Sequence, residues 1–348
     1  MAYISFQPRD NFKTHLYTGT GASNAQTFPE TTAMQPDIVW IKNRDVTDFH
    51  VWTNSLSGAT KYIETNNTLV QTTNAESVKS LDSDGFTVGT MNEVNTDTED
   101  FVSWNWKMGT TSGIAGSPSI TPTAYTFNAA AGQSIIQWTG TGANATLPHG
   151  LGVTPEMIIV RNTNAGYDWM VYHKIMGNTK YMRLNSTAIQ STGATTWNST
   201  SPTDTLFSVG TNDASNQNTA TLLAYCFAPI KGYSRFGTYK GNQSANGPFI
   251  YTGFRPAFVI CKVYNSGDPK NWILMDDKRL AYNEDNNALY TSNTNAGDAS
   301  TTIDILSNGF KCRRTDDTLN GPGGLSYIYM AFAKFPFVTS TSQPGGAR

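Results

Sequence analysis

The stretch "MQPDIVWIKNR", Met34–Arg44, decides the fold. Pro36 stands two residues ahead of an apolar run, Ile38–Ile41, which stops abruptly at Lys42. Proline has no N–H to give to an interior ladder and suits the start of a strand, while an uninterrupted apolar run lacks the alternation of a half-solvated strand. The run therefore reads as a core strand covered on both faces, with Lys42 leaving toward solvent.

The pattern occurs twice more. "VTPEMIIVRNT" (Val153–Thr163) and "FRPAFVICKVY" (Phe254–Tyr264) each carry a proline, one residue, four apolar residues and a cation. The anchoring prolines, Pro36, Pro155 and Pro256, lie roughly a hundred residues apart, a spacing for whole domains and far longer than a solenoid repeat. Other landmarks keep their order around each proline. Upstream stand "HLYTGTGASNA", "IIQWTGTGANA" and "RFGTYKGNQSANG"; downstream stand "FHVWTNSLSGATKYIE", "YDWMVYHKIMGNTKYMR" and "KNWILMDDKRLAYNE". "SDGFTVG", "DTLFSVG" and "SNGFKCR" then precede the closing strands "FVSWNWKM", "LLAYCFAP" and "YIYMAFAK", the third copy being the most divergent.

Asp84-Gly85 and Asn308-Gly309 sit where a tight hairpin wants positive φ, beside Phe86 and Phe310, whose rings can enter a core. In the closing strand Phe101, Ser103 and Asn105 alternate with Val102, Trp104 and Trp106, so the aromatic-rich face is expected to be buried. Helical patterning is nearly absent; "TNAESVKSLDSD" and "KIMGNTK" offer a turn or two. The expected fold is all-β, with three tandem antiparallel β-sandwich modules, jelly-roll or lectin-like, of about a hundred residues each. The expected boundaries are an N-terminal arm 1–14, module one 15–108, a Gly/Ser/Thr/Pro-rich linker 109–134, module two 135–229, module three 230–337 and a C-terminal tail 338–348. "APIKGYSRFG" leaves little slack, so modules two and three are expected to pack as one rigid piece.

Composition agrees with short strands and polar turns. The 348 residues are 38% hydrophobic and 12% aromatic but only 14% charged, so amides and hydroxyls carry the surface polarity. A net charge of −2 with no basic run longer than a pair such as Arg313-Arg314 leaves no footprint for a phosphate backbone, so nucleic acid is not an expected partner. "MAYISFQPRD" lacks the features of a secretion signal, and "YIYMAFA" is far shorter than the roughly 20 residues of a bilayer span; assembly in the cytoplasm without membrane insertion is expected. Cys226, Cys261 and Cys312, odd in number and each in an apolar or alternating run, read as buried free thiols.

The search for chemistry finds no catalytic, cofactor-binding or metal-binding residues to name. Asp97, Glu99 and Asp100, Asp276 and Asp277, and Asp316 and Asp317 read as solvated loop acids. "DSDG" at Asp82–Gly85 opens like a calcium loop but lacks the later oxygen ligands and the terminal Glu, so it reads as a turn. His15, His50, His149 and His173 stand singly, without a second His or Cys at metal-ligand spacing; His50 and His173 read as equivalent fold positions. "GTGASNA" lacks the Lys and following helix of a phosphate loop. Trp52, Trp169, Trp197, Trp272, Tyr167 and Tyr264 are more readily core residues than docking platforms for sugar rings or protein neighbours, and the receptor-binding residues stay unknown.

Segments such as "GTTSGIAGSPSITPTAY", "TGTGANATLPHGLGVTPEMIIV", "WMVYHKIMGNTKY", "KGYSRFGTYKGNQSANGPFIYTGFRPAFVI", "ILSNGFKCR" and "YIYMAFAKFPFV" resemble a recurrent family of bacteriophage virion proteins, common in marine phages and usually labelled tail or structural proteins. The resemblance spans essentially the whole chain and implies a virion component, with no residue roles to carry over. The expectation is a non-enzymatic virion structural protein without cofactors, most readily a tail fibre or tail-associated appendage. It would attach through its arm and module one and display modules two and three for host-surface contact. The alternatives are a capsid decoration or cement protein, and a carbohydrate-binding or glycan-depolymerising tail module. The expected partners are other virion proteins, further copies of the chain (a homo-oligomer, with a trimer preferred) and a host surface glycan.

Overall fold

A computed structural model describes residues 6–279, 283, 287–300 and 302–336. The chain is all-β and antiparallel, and one strand order recurs three times. In each large sheet an opening strand (Phe12–Thr18, Gln133–Thr139, Ser234–Lys240) pairs with a closing strand (Asp100–Trp106, Thr221–Phe227, Ser326–Pro336). The closing strand pairs in turn with a central strand (Ile38–Asn43, Met157–Asn162, Phe254–Val263), and that with a fourth strand (Val51–Asn54, Met170–His173, Ile273–Asp276). Each large sheet faces a small one, formed around Asn24–Thr27 with Gly85–Val88, Ala145–Pro148 with Leu206–Val209, and Phe249–Tyr251 with Gly309–Cys312.

The register fixes which residues correspond. Ile38 lies opposite Trp106, Met157 opposite Phe227 and Phe258 opposite Phe332. The central strands are buried on both faces, as the continuous apolar run requires. Their outward side chains pack beneath the small sheets: Val39 and Ile41 with Phe86 and Phe101, Ile158 and Val160 with Phe207, Val259 and Cys261 with Phe310. Their inward side chains do something the alternation could not reveal. Ile38 and Trp40, Met157 and Ile159, and Phe258 and Ile260 all enter one shared core.

Trp106, Phe227 and Phe332 close that core as a triangle, with ring centroids 6.3, 5.7 and 5.8 Å apart. Three sheets thus form the walls of a three-sided body, and none of them has a second dry face of its own. Trp52, Trp169 and Trp272 belong to this shared core and Trp197 to that of repeat two. Cys226, Cys261 and Cys312 are buried free thiols.

Several boundaries fall differently from expectation. Phe12–Thr14, assigned to the arm, open the first strand, and Phe12 stacks on Phe332 at 5.4 Å. The segment 109–134 does not run as a bare joint. It lies along repeat two, burying Ile120, pairing Thr110 with Phe127 and adding the extra strand Ala124–Asn128 to the large sheet. The tail 338–348 lies outside the described residues. Pro256 stands inside its strand at a register shift, whereas Pro36 and Pro155 precede theirs. A bulge is where a proline can sit without costing a ladder bond.

The hairpin turns are Ser83-Asp84 and Ser307-Asn308, one residue earlier than read from the Gly positions. Gly85 and Gly309 are demanded by a neighbouring strand, because a β-carbon there would stand 1.8 Å from the Gln26 carbonyl and 2.1 Å from that of Ile250. "TNAESVKSLDSD" contributes a strand, Val78–Asp82, and the helical turns among the described residues are Pro8–Asp10, Asn92–Asn95 and Asp213–Asn216.

Trp106→Ala removes one side of the aromatic triangle and should destabilise the protein by ~3–5 kcal/mol. Because the core is shared, denaturant unfolding followed by tryptophan fluorescence and by far-UV circular dichroism should give coincident transitions; separate transitions would show that the repeats unfold independently.

Candidate functional site

The chemistry of the molecule gathers where repeats meet. A backbone bond at the same place crosses every seam: Gln71 N–H donates to Thr163 O at 3.0 Å, Gln190 to Tyr264 O at 3.4 Å and Gly297 to Arg44 O at 2.9 Å, and Lys270 to Thr187 O at 3.1 Å and Asp48 to Thr294 O at 2.8 Å add a second bond at two of them. The first three acceptors hold corresponding places after the central strands, so the seams form a cycle.

Inward cations reinforce that cycle. Lys42, Arg161 and Lys262 share one register position and are fully buried, which corrects the expected exit of Lys42 toward solvent. Arg161 donates to Leu69 O across one seam; Lys262 donates to Thr187 O at 2.7 Å across the next and also to Lys270 O. Lys42 instead caps its own loop through Asn43 O at 2.6 Å. Loop carbonyls buried by the seams need donors, and a long cationic side chain reaches them. Desolvation pushes Lys262 down to about 7 and Lys42 down to about 8, with Asp48 and Glu99 partly restoring the latter.

Side chains close a second ring. Asn54, His173 and Asp276 correspond in register, and each reaches the next repeat: Asn54 donates to Tyr225 Oη at 3.2 Å, His173 Nε2 lies 3.4 Å from Tyr329 O, and Asp276 accepts Trp104 Nε1 at 3.1 Å. The expected equivalence of His50 with His173 is therefore displaced by four residues. His50 corresponds to Trp169 and Trp272, whose indoles donate to Glu64 O and Arg183 O in the neighbouring repeats at 3.0 and 2.8 Å. In repeat one the bulk moves to the partner strand. Trp40 replaces the isoleucine found at 159 and 260, and its Nε1 donates to His50 Nδ1 at 3.1 Å. Burial holds His50 well below its ordinary range and His173 down to about 4, so both rings are neutral near pH 7.

The expected loop acids divide. Asp276 and Asp277 are buried rather than solvated; Arg279 holds Asp276 at 2.6 Å, and Lys334 lies 2.5 Å from Asp277. Asp97 is exposed, Glu99 takes Asn43, and Asp316 pairs with Arg314 at 2.6 Å. His15 contacts Gln26 and His149 contacts Thr203 O, both at 3.2 Å. Among the described residues no group of three His, Cys, Asp or Glu side chains is placed to hold a metal ion. Among them, too, no helix is long and apolar enough to cross a membrane, which says nothing of a β-barrel.

Two corresponding grooves open at the seams. Between repeats one and three, a cavity of about 370 Å³ is lined by Arg9, Lys13, Glu30, Asp277, Lys278 and Lys334. Most of its charges are paired, with Glu30 lying 3.8 Å from Lys13 and 3.3 Å from Lys278 and Asp277 held by Lys334, while Arg9 forms no ion pair with a described residue. Between repeats two and three, a groove of about 630 Å³ is lined by Lys174, Ile175, Lys231, Arg235, Tyr251 and Gly253 among others. Here Glu156 is engaged by Lys174 at 2.7 Å, and neither Lys231 nor Arg235 has a carboxylate partner among the described residues. Tyr251 is 49% exposed beneath Arg235 (5.6 Å), with Ile175 and Phe249 also exposed. None of these residues stood out in the sequence. The available signal was the strand Phe249–Tyr251, whose outward positions are both aromatic where alternation would put polar residues.

These features define an all-β protein of three seam-locked repeats with open grooves between them. A family model described as a domain of unknown function, DUF7483, matches residues 7–336, and the chain belongs to that family. No curated protein and no solved structure matches it.

The buried lysines predict a pH dependence. The folded pKa of Lys262 lies below that of the unfolded chain, so between about pH 7 and 10 the unfolded state binds more protons and stability rises with pH. Below about pH 7 the amine is charged in both states, and the folded protein bears the full cost of desolvating it. Comparing wild type with Lys262→Met isolates this contribution: the stability of wild type relative to the variant should grow from pH 7 to pH 9, by at most ~1.4 kcal/mol per pH unit. Urea titrations at the two pH values measure it; a constant difference would contradict the burial of the amine.

Proposed function

We propose that the chain is a non-enzymatic structural protein of a bacteriophage particle, part of a tail fibre or tail-associated appendage that serves assembly and host-surface contact. The observation that carries the reading is the closed cycle of seams. Backbone bonds that run in a cycle, buried cations and a shared aromatic core tie three repeats into one body, an arrangement suited to bearing load and presenting surfaces rigidly. The sequence segments that resemble virion proteins support the same reading. Immunogold electron microscopy of particles tests it: label along the tail is expected, label confined to the capsid would replace the tail assignment with a decoration protein, and particles without label would remove the virion assignment.

The homo-oligomer, with a trimer preferred, belongs to this reading. Light scattering of the purified chain, 37.9 kDa per copy, should give a multiple of that mass, and a single-copy mass would remove it.

One observation favours a glycan-binding role in addition. The groove of about 350 Å³ between repeats one and two is lined by Ser57, Gln71, Thr73, Gln137, Asn164 and Thr221 among others, amides and hydroxyls of the kind that hydrogen-bond sugars. Host polysaccharide that shifts Gln71 and Gln137 side-chain amide resonances without releasing reducing ends would support a lectin-like role; unshifted resonances would exclude this groove.

A further inference from the structure

The three opening strands correspond in register but are not equally covered. Among the described residues Phe12–Thr18 and Ser234–Lys240 are edge strands, the second met only at its first residue, where Ser234 N–H donates to Ile230 O at 2.9 Å, whereas Gln133–Thr139 is flanked by the extra strand Ala124–Asn128. That strand places Phe127 opposite Ser134, and the Phe127 ring lies 2.8 Å from where a β-carbon on Gly150 would stand. By register Ser134 corresponds to Arg235, and Gly150 corresponds to Gly253. Both glycines have positive φ, +73° and +83°. Arg235 and Gly253 line the open groove between repeats two and three. The groove is therefore the place that, in repeat two, the chain fills with a strand and a phenylalanine of its own.

A free sheet edge offers unpaired N–H and C=O groups to any extended chain, and side-chain pockets beside it set which chain is accepted. Along Ser234–Lys240 those pockets have an exposed apolar floor, Tyr251 and Ile175, and a rim of Lys231 and Arg235 without carboxylate partners among the described residues. The other edge is different. Around Phe12–Thr18, Lys13 is buried and paired with Glu30 and Asp84, and the short helix Pro8–Asp10 brings Arg9 into the groove.

We propose that Ser234–Lys240 is a strand-addition site for an extended acidic segment of another protein, which places one aromatic side chain over Tyr251 and Gly253 and its carboxylates against Lys231 and Arg235. The added strand runs antiparallel, as Ala124–Asn128 does on Gln133–Thr139. This surface does not depend on where the protein resides.

The test uses the full chain and two peptides. One is Pro122–Ala130 of this protein, "PTAYTFNAA"; the other carries Ala129→Glu and Ala130→Glu, at the end that would face Lys231. Amide hydrogen exchange is read strand by strand. The acidic peptide should slow exchange across Ser234–Lys240 at least tenfold and leave Phe12–Thr18 unchanged, and the neutral peptide should bind at least tenfold more weakly. Arg235→Glu should abolish the preference for the acidic peptide; Tyr251→Ala, at an exposed position, should weaken both peptides and guards against a folding defect in the first variant. No slowing at millimolar acidic peptide, or equal slowing at Phe12–Thr18, overturns the proposal. So does an oligogalacturonate that occupies the groove, weakened by Tyr251→Ala, while the acidic peptide leaves the Ser234–Lys240 amides unprotected.

Discussion

Burying the inner faces of three sheets at once is the constraint on which the rest depends. Each large sheet can cover its outer face with its own small sheet, but its inner face presents Trp104 and Trp106, Tyr225 and Phe227, or Met330 and Phe332, with nothing in the same repeat to cover it. Apolar surface left in water costs about 25 cal/mol per Å², so one such face is a large penalty and three facing one another are a solution. The triangle of Trp106, Phe227 and Phe332 is where that solution closes.

Closing it creates a second problem, since bringing three sheet ends together buries backbone carbonyls and polar side chains. The seams answer with one repeated scheme executed in different residues. Lysine serves at two inward positions and arginine at the third; Asn54, His173 and Asp276 each make one bond to the next repeat. The exchange of bulk between Trp40 with His50 and Ile159 with Trp169 shows that a conserved volume and a satisfied donor matter at this position more than residue identity.

The near-symmetry also exposes its one large departure. Repeat two uses the segment after Met108 to cover its own edge, while repeat three has only the short joint Pro229–Gly232 and no strand among the described residues covers its edge. Two repeats with the same strand order thus differ in how far their edges are covered. The difference lies in the connections, which vary without disturbing the core, and not in the strands that the landmarks identify.

How much of this was legible follows from what alternation and spacing can encode. The sequence by itself determined the all-β class, the threefold recurrence, the doubly covered central strands and the burial of Phe86 and Phe310, because residue periodicity and turn chemistry are local properties. It also marked Trp52, Trp169 and Trp272 as core. Only the tertiary structure decided what covers each face. Lys42 looked like an exit to solvent because a cation after an apolar run usually is one; it is buried because another repeat lies against it. Asp276 looked solvated for the same reason, and the 109–134 segment looked like a free joint because its Gly, Ser and Pro content says nothing of the edge it pairs with. The groove at Tyr251 is assembled from residues up to about a hundred positions apart, from Glu156 to Gly253, and no local pattern can announce a surface that two repeats make only by meeting.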